Sequence, residues 1–227
     1  MARICTLQSV AKRTTYSAIM VILHSTKKRR SLNVCHFHVR SLVSDGRLEQ
    51  LKFFLSAHSV DVLCLTGTWL KPKHVNSMLS VSCFQPALHC DRITSRGGGV
   101  AINVRDGLAS TLLALPPSEL ECLAVRIDLS NRKKLIVFVI YRPPDSNVWD
   151  LVDALVRSVS PYLQGNVCML DNFIANTLCG MILRERMLLA SSSSNSQTAM
   201  DFTKWSMHVI ICVTPGFDFH QSSRQCH

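Results

Sequence analysis

Several apolar runs in this sequence end in residues of other types, most of them polar, which a sheet would bring to one edge. They are His38, then Gly67, Thr68 and Trp69, then Tyr141 and Arg142, and finally Asp171 and Asn172. Catalytic groups of layered α/β proteins commonly lie at the carboxyl ends of adjacent strands, so these positions form the candidate site. His36 and His38 share one face of a predicted strand and could bind a metal as an H-x-H pair. The alternative is two solvated or core-edge histidines.

The ten cysteines contain no C-x-x-C pair and no regular spacing. Four of them lie in or beside apolar runs, where a reduced cysteine packs as a small hydrophobic residue: Cys35, Cys64, Cys122 and Cys168. We therefore expect a reducing compartment. A zinc site could be imagined from four C-terminal residues, but their spacing matches no zinc pattern: Cys212, His220, Cys226 and His227.

Two other features admit a nucleic-acid or phosphate interpretation and a simpler one. Arg96 and the glycines at 97–99 could cradle a phosphate, but no Lys-Ser/Thr follows, and a hairpin turn also needs glycines. Trp69 and Tyr141 could face nucleic acid, or they could pack and orient a neighbour.

The spacing of apolar residues predicts the elements that must position these side chains. Short β-branched or alternating runs predict strands, and apolar residues three or four apart predict helices. The predicted strands are 32–39, 60–65, 100–104, 123–129, 135–141 and 167–170, and the predicted helices are 47–58 and 147–163. This order of elements indicates a layered α/β protein with mixed sheets.

The order of elements stops at about residue 178, and residues 191–194 are a run of serine. We expect three segments. Residues 1–31 are predicted to be a disordered basic extension, 32–178 the folded domain, and 179–227 a divergent, poorly specified remainder. The fold is accordingly expected to be incomplete at its C-terminus.

Six stretches, in this order, resemble the endonuclease domain of non-LTR retrotransposons, which belongs to the endonuclease/exonuclease/phosphatase superfamily and is related to the apurinic-site nucleases. They are VCHFHVRSL (34–42), VDVLCLTGTWL (60–70), RGGGVAINVRDGL (96–108), LAVRIDL (123–129), VIYRPPDSNVWD (139–150) and NVCMLDNFIAN (166–176). The resemblance implies a four-layer α/β sandwich. It also implies magnesium-assisted hydrolysis of DNA phosphodiesters, in a protein that usually accompanies a reverse transcriptase.

The resemblance assigns roles to single positions, and several of them carry a different residue. His38 stands where the family has a catalytic Asn, and Gly67 where it has the metal-binding Glu. Asn172 stands at the family's catalytic Asp. Asp171 would replace that Asp only if the strand end bulges, because a shift of one residue turns a strand side chain to the opposite face. The family's closing Ser-Asp-His triplet does not occur in the sequence.

Other positions agree with the family motifs. Tyr141 matches a catalytic tyrosine, and Arg142 follows it as in the family. The resemblance implies DNA contacts at Arg40, Trp69, Arg142 and Asn176.

Losing one preorganised electrostatic contact typically costs about 10²–10³ in rate, and several are altered here. We therefore predict a DNA endonuclease-type domain with impaired or absent cleavage. An active magnesium endonuclease, a nucleic-acid-binding pseudoenzyme and a translated relic without a selected role are the alternatives. DNA is the expected partner, and no small-molecule cofactor is expected.

Composition agrees with a folded basic domain, since 47% of the residues are hydrophobic and the net charge is +10. Such a charge favours contact with a nucleic-acid backbone. No apolar run reaches the roughly 18 residues of a membrane helix, so no membrane partner is expected. Residues 1–44 contain no Asp or Glu; the basic run 27–30 would suit a nuclear signal, and 1–30 an organellar presequence. We expect an intracellular location, nuclear or cytoplasmic.

Overall fold

The computed structural model describes residues 2–11, 14–24, 31–44, 46–71, 74, 80–92, 97–116, 120–129, 132–142, 146–162, 165–171 and 209–213. The chain divides into two compact units, one built on residues 1–107 and the other on residues 108–217. In the described part of the chain, no helix is both long and apolar enough to cross a membrane.

The first unit contains a six-stranded mixed sheet. Its strands are β1 (Ala2–Ala11), β2 (Thr14–His24), β3 (Ser31–His38), β4 (Val62–Thr66), β5 (Leu88–Cys90) and β6 (Val100–Val104). They lie in the order β1-β2-β3-β4-β6-β5. β3 and β4 are parallel, and helix α1 (Arg47–Ala57) connects them, because parallel neighbours need a crossover.

The core of the first unit lies between its sheet and α1. Every residue of β4 and of β6 is buried, as expected of short, nearly continuous apolar runs. α1 begins after Gly46 and ends where the His58 N–H donates to the carbonyl oxygen of Phe54 at 3.1 Å. Its Leu51 is buried in one cluster with the sheet residues Phe37, Leu63 and Leu65.

The second unit contains a five-stranded sheet. Its strands are β7 (Ser110–Leu112), β8 (Glu121–Asp128), β9 (Lys134–Tyr141), β10 (Asn166–Asp171) and β11 (Val209–Val213), in the order β11-β10-β9-β8-β7. β9 and β10 are parallel and are joined by helix α2 (Val148–Val159) and a 3-10 turn (Ser160–Tyr162). The apolar face of α2 packs on the sheet through Val152, Leu155 and Val159, which contact a cluster that includes Phe138 and Met169.

The structure contains every strand and helix predicted from the sequence. The predicted strand 100–104 coincides with β6, and the other strands differ by one or two residues at their ends. The second helix changes to a 3-10 turn at residue 160, where Pro161 lacks the N–H that an α-helix needs.

The N-terminal segment forms two strands. Residues 2–11 and 14–24, predicted to be disordered, form the antiparallel pair β1–β2, and β2 pairs with β3. The apolar run 18–23 is too short for a membrane helix but long enough for a strand, and its Ile19, Val21 and Ile22 are β-branched.

Three other strands, β5, β7 and β11, were not predicted. β11 lies in the segment expected to be poorly specified, where it pairs with β10. Residues 172–208 and 214–227 lie outside the described residues. The expectation that the fold is incomplete at its C-terminus concerns these residues, so it stays a prediction.

Candidate functional site

One edge of the first sheet collects the ends of several strands. Because β3 and β4 are parallel and pair His38 with Thr66, their carboxyl ends meet there. β6 starts at the same edge, since Val100 pairs with Thr66 on one side and with Cys90, the end of β5, on the other. Two residues expected to share a site, His38 and Gly67, therefore lie next to each other.

His36, His38, Thr66 and Gly67 form what we call the strand-end cluster. The Thr66 hydroxyl lies 3.1 Å from Nε2 of His36 and 3.3 Å from Nδ1 of His38. A hydroxyl has one hydrogen to donate, so at least one of the two imidazoles must donate to Thr66. His36 and Thr66 are buried and His38 is half-buried, so the hydrogen bonds run from the sheet edge into the core.

Gly67 is positioned by the same cluster. It has φ +67°, and a Cβ built on it would lie 2.7 Å from Cε1 and 3.1 Å from Nδ1 of His38. Its N–H donates to the carbonyl oxygen of Gly99 at 2.9 Å, and its carbonyl accepts from the Ser41 N–H at 2.7 Å. The His38 ring thus occupies the space that a side chain at residue 67 would need.

Magnesium, which the family resemblance implies, does not fit the strand-end cluster. This ion prefers carboxylate, carbonyl and water oxygens in octahedral geometry, whereas the cluster offers imidazole nitrogens and one hydroxyl that is already hydrogen-bonded. Within the described ranges, no three His, Cys, Asp or Glu side chains are grouped so that they could hold a metal ion.

The loops that follow β3 and β4 have strained backbone. Three of their residues that are not glycine have positive φ: Arg40 at 45°, Ser41 at 90° and Trp69 at 56°. Each such conformation costs about 1–3 kcal/mol and persists only where the surroundings hold it, which is common at functional sites. Here the Arg47 guanidinium helps, since it donates to the carbonyl oxygens of Val39 and Arg40.

Trp69 and the glycines at 97–99 belong to one packing arrangement. The Trp69 N–H donates to the carbonyl oxygen of Gly98 at 2.9 Å, and the indole Nε1 lies 3.4 Å from where a Cβ of Gly97 would be. A Cβ at Gly99 would lie 2.5 Å from the Thr68 hydroxyl. The glycines therefore admit Thr68 and Trp69. Arg96 lies outside the described residues.

The remaining predicted site residues belong to the second unit. Tyr141 ends β9, and Arg142 follows it; both are half-buried. β10 pairs residue by residue with β9 and with β11 through Asp171, so the described strand contains no bulge. Asn172 and Asn176 lie outside the described residues. Their roles stay predictions, and so do the roles that the resemblance assigns to the other site residues.

A polar pair near the strand-end cluster was not recognised in the sequence. His89 Nδ1 lies 3.2 Å from Oδ2 of Asp91, whose side chain is only 6% exposed. Oδ1 of Asp91 and the Thr68 hydroxyl are buried without a hydrogen-bond partner among the described residues. The H-x-D spacing was the available signal, but β5 has only three residues and no periodicity to reveal it.

No family model and no curated protein matches the sequence. Solved structures do match the fold. The endonuclease domain of TRAS1, a telomere-specific non-LTR retrotransposon, is 10% identical and aligns over 66% of this chain and 68% of its own, with a TM-score of 0.51. An AP endonuclease from Archaeoglobus fulgidus is 14% identical over 78% of this chain and 85% of its own, with a TM-score of 0.53. The catalytic domain of human Nocturnin is 12% identical over 75% of each chain, with a TM-score of 0.50.

These matches define the class of fold. The chain has the α/β fold of the endonuclease/exonuclease/phosphatase proteins, as the sequence motifs predicted. One of these structures is a retrotransposon endonuclease domain, the group that the sequence motifs resemble.

Proposed function

We propose that this chain is a DNA-binding domain of the endonuclease type whose phosphodiester cleavage is lost or severely reduced. The observation that carries the proposal is the packing of His38 against Gly67, at the strand end where the resemblance expects a metal-binding carboxylate. A closely packed imidazole replaces that oxygen ligand. Since a hard cation needs such oxygens, cleavage that depends on it should fail first.

Binding to DNA does not need the cation. The chain carries 25 Lys and Arg against 15 Asp and Glu, and phosphate contacts by basic side chains supply most of the affinity for nucleic acid of any sequence. Arg40 is exposed in the loop after β3, beside the strand-end cluster. Similarity of fold to a retrotransposon endonuclease domain supports DNA as the partner.

The test is a salt titration of binding to a labelled DNA duplex, measured by fluorescence anisotropy. The logarithm of the association constant should fall linearly with the logarithm of the salt concentration, because each phosphate contact releases about 0.9 counterion. Arg40→Gln should make that slope shallower by about one unit.

The matched control is Arg157→Gln, which removes an exposed guanidinium from the last turn of α2. It should change the slope less than Arg40→Gln does. Binding that is undetectable at low salt, or that ignores salt, would refute the proposal.

We also propose an intracellular, reducing location. The thiols of Cys35, Cys64 and Cys83 are free, which supports this location.

A further inference from the structure

We propose that Gly67 and His38 depend on each other, so that only glycine at residue 67 lets the His38 imidazole sit at this strand end, and that ring in turn keeps a carboxylate out. The proposed function uses the same contact between His38 and Gly67, but the dependence of the two residues on each other holds whether or not the chain binds DNA.

A side chain at residue 67 would clash with the His38 ring. The Cβ position on Gly67 lies 2.7 Å from Cε1 of His38, closer than the 3.0 Å below which real Cβ contacts essentially never occur. On another side lies the backbone nitrogen of Arg40, at 3.5 Å, which is ordinary contact. Any side chain at residue 67 must therefore displace the imidazole.

A hydrogen bond with Thr66 holds the His38 imidazole in place. Its Nδ1 lies 3.3 Å from the Thr66 hydroxyl, and the same hydroxyl lies 3.1 Å from Nε2 of His36. His36 is 1% exposed and Thr66 is fully buried. Moving the His38 ring would remove one of the two hydrogen-bond contacts of the Thr66 hydroxyl, which is buried and cannot replace that contact with water.

Gly67 is restricted by its backbone conformation as well as by the His38 ring, and two other glycines separate these effects. Gly67 has φ +67°, which disfavours any other residue regardless of space. Gly46 at φ +75° and Gly107 at φ +84° carry the same conformational restriction, but a Cβ on either would meet nothing within 4 Å. These two glycines therefore measure the strain alone, and Gly67 should cost more than either.

The His38 ring also limits where a carboxylate could lie. Gly67→Glu alone can place its carboxylate at the strand end only by displacing the His38 ring, which fills the first part of its path. Replacing His38 by a smaller residue as well would leave that path open.

The test is a double-mutant cycle in the full chain, with stability measured as the urea midpoint. The variants are Gly67→Ala, His38→Ala and the double variant, with Gly46→Ala and Gly107→Ala as controls. We expect Gly67→Ala to lower the midpoint at least about twice as much as either control. In the His38→Ala background the same change should cost no more than the controls do.

Two results would overturn the inference. One is a Gly67→Ala cost equal to that of the controls, and the other is an equal cost with and without His38. If Gly67→Ala does not fold, a folded double variant supports the inference, and an unfolded double variant contradicts it. None of these outcomes depends on DNA, so a failure here is distinct from a failure of the proposed function.

Discussion

The Thr66 hydroxyl lies within hydrogen-bond distance of two imidazoles, those of His36 and His38. Thr66→Val keeps the shape and removes the hydroxyl, so His36 and His38 both lose this hydrogen bond. We expect the free energy of unfolding to fall by about 1–3 kcal/mol, the usual cost of removing one partner of a buried hydrogen bond. Urea unfolding followed by circular dichroism measures the change.

Thr111→Val is the control for this substitution. Thr111 is exposed on β7, where its hydroxyl accepts from Nη2 of Arg126 at 3.2 Å, so its loss should change stability by less than about 0.5 kcal/mol. Equal costs at the two threonines would show that the strand-end cluster does not stabilise the fold.

Cys35 and Cys64 predict how stability depends on pH. Burial raises the pKa of the Cys35 thiol from 9.0 to about 12, and it raises the pKa of Cys64 as well. The thiols stay protonated in the folded chain while the unfolded chain loses its protons above pH 9. Their stabilising contribution is therefore complete below about pH 9 and declines as the pH rises toward 12, by up to about 1.4 kcal/mol per unit for each thiol.

The measurement is urea unfolding at several pH values between about 8 and 10.5. Cys35→Ala should make the decline shallower than in the wild type. A decline of the same steepness in both proteins would contradict the role assigned to burial.

At the scale of elements, β2 separates the observed fold from the disordered extension predicted from the sequence. Val21 of β2 is 0% exposed, so Val21→Ala should remove buried contacts and cost roughly 1–3 kcal/mol of stability. If residue 21 lay in a disordered extension, the same substitution would not change the free energy of unfolding. Thermal unfolding of the purified variant gives the change.

Val43→Ala provides the matched comparison, since Val43 is 37% exposed in the loop before α1. It should change stability by less than about 0.5 kcal/mol. If Val21→Ala changed stability as little as Val43→Ala does, residues 14–24 would not form a buried strand, and the disordered extension would be the better description.

The elements that the sequence predicted share a physical cause. β6 and α2 each combine a length typical of their class with a regular apolar pattern, so local propensity and burial agree. β5 and β7 have three residues each, too few for a period of two to be visible. Their pairing is fixed by neighbours distant in the sequence, which no local pattern contains.

The candidate site shows the same limit. The rule that parallel strands end at one edge was enough to place His38 beside Gly67. The shared use of Thr66 and the pair His89–Asp91 were not foreseen, because they depend on side-chain contacts across strands.

At the scale of the whole molecule, charge and fold suit one account. The chain has a net charge of +10 and the fold of the endonuclease/exonuclease/phosphatase proteins. Affinity for a phosphate backbone needs only basic side chains, whereas cleavage needs preorganised ligands placed within a fraction of an ångström. Substitutions at a few strand ends can therefore abolish cleavage and leave both folding and DNA binding in place.

The most direct test of this account is the nicking of supercoiled plasmid under conditions of complete binding. The protein is added at a concentration where a gel shift shows all of the plasmid bound, with magnesium in one reaction and EDTA in the other. An active endonuclease in parallel verifies the conditions. We predict that the conversion to open circles is the same with magnesium as with EDTA. Nicking that rises with magnesium above the EDTA reaction would contradict the claim that cleavage is lost at this strand end.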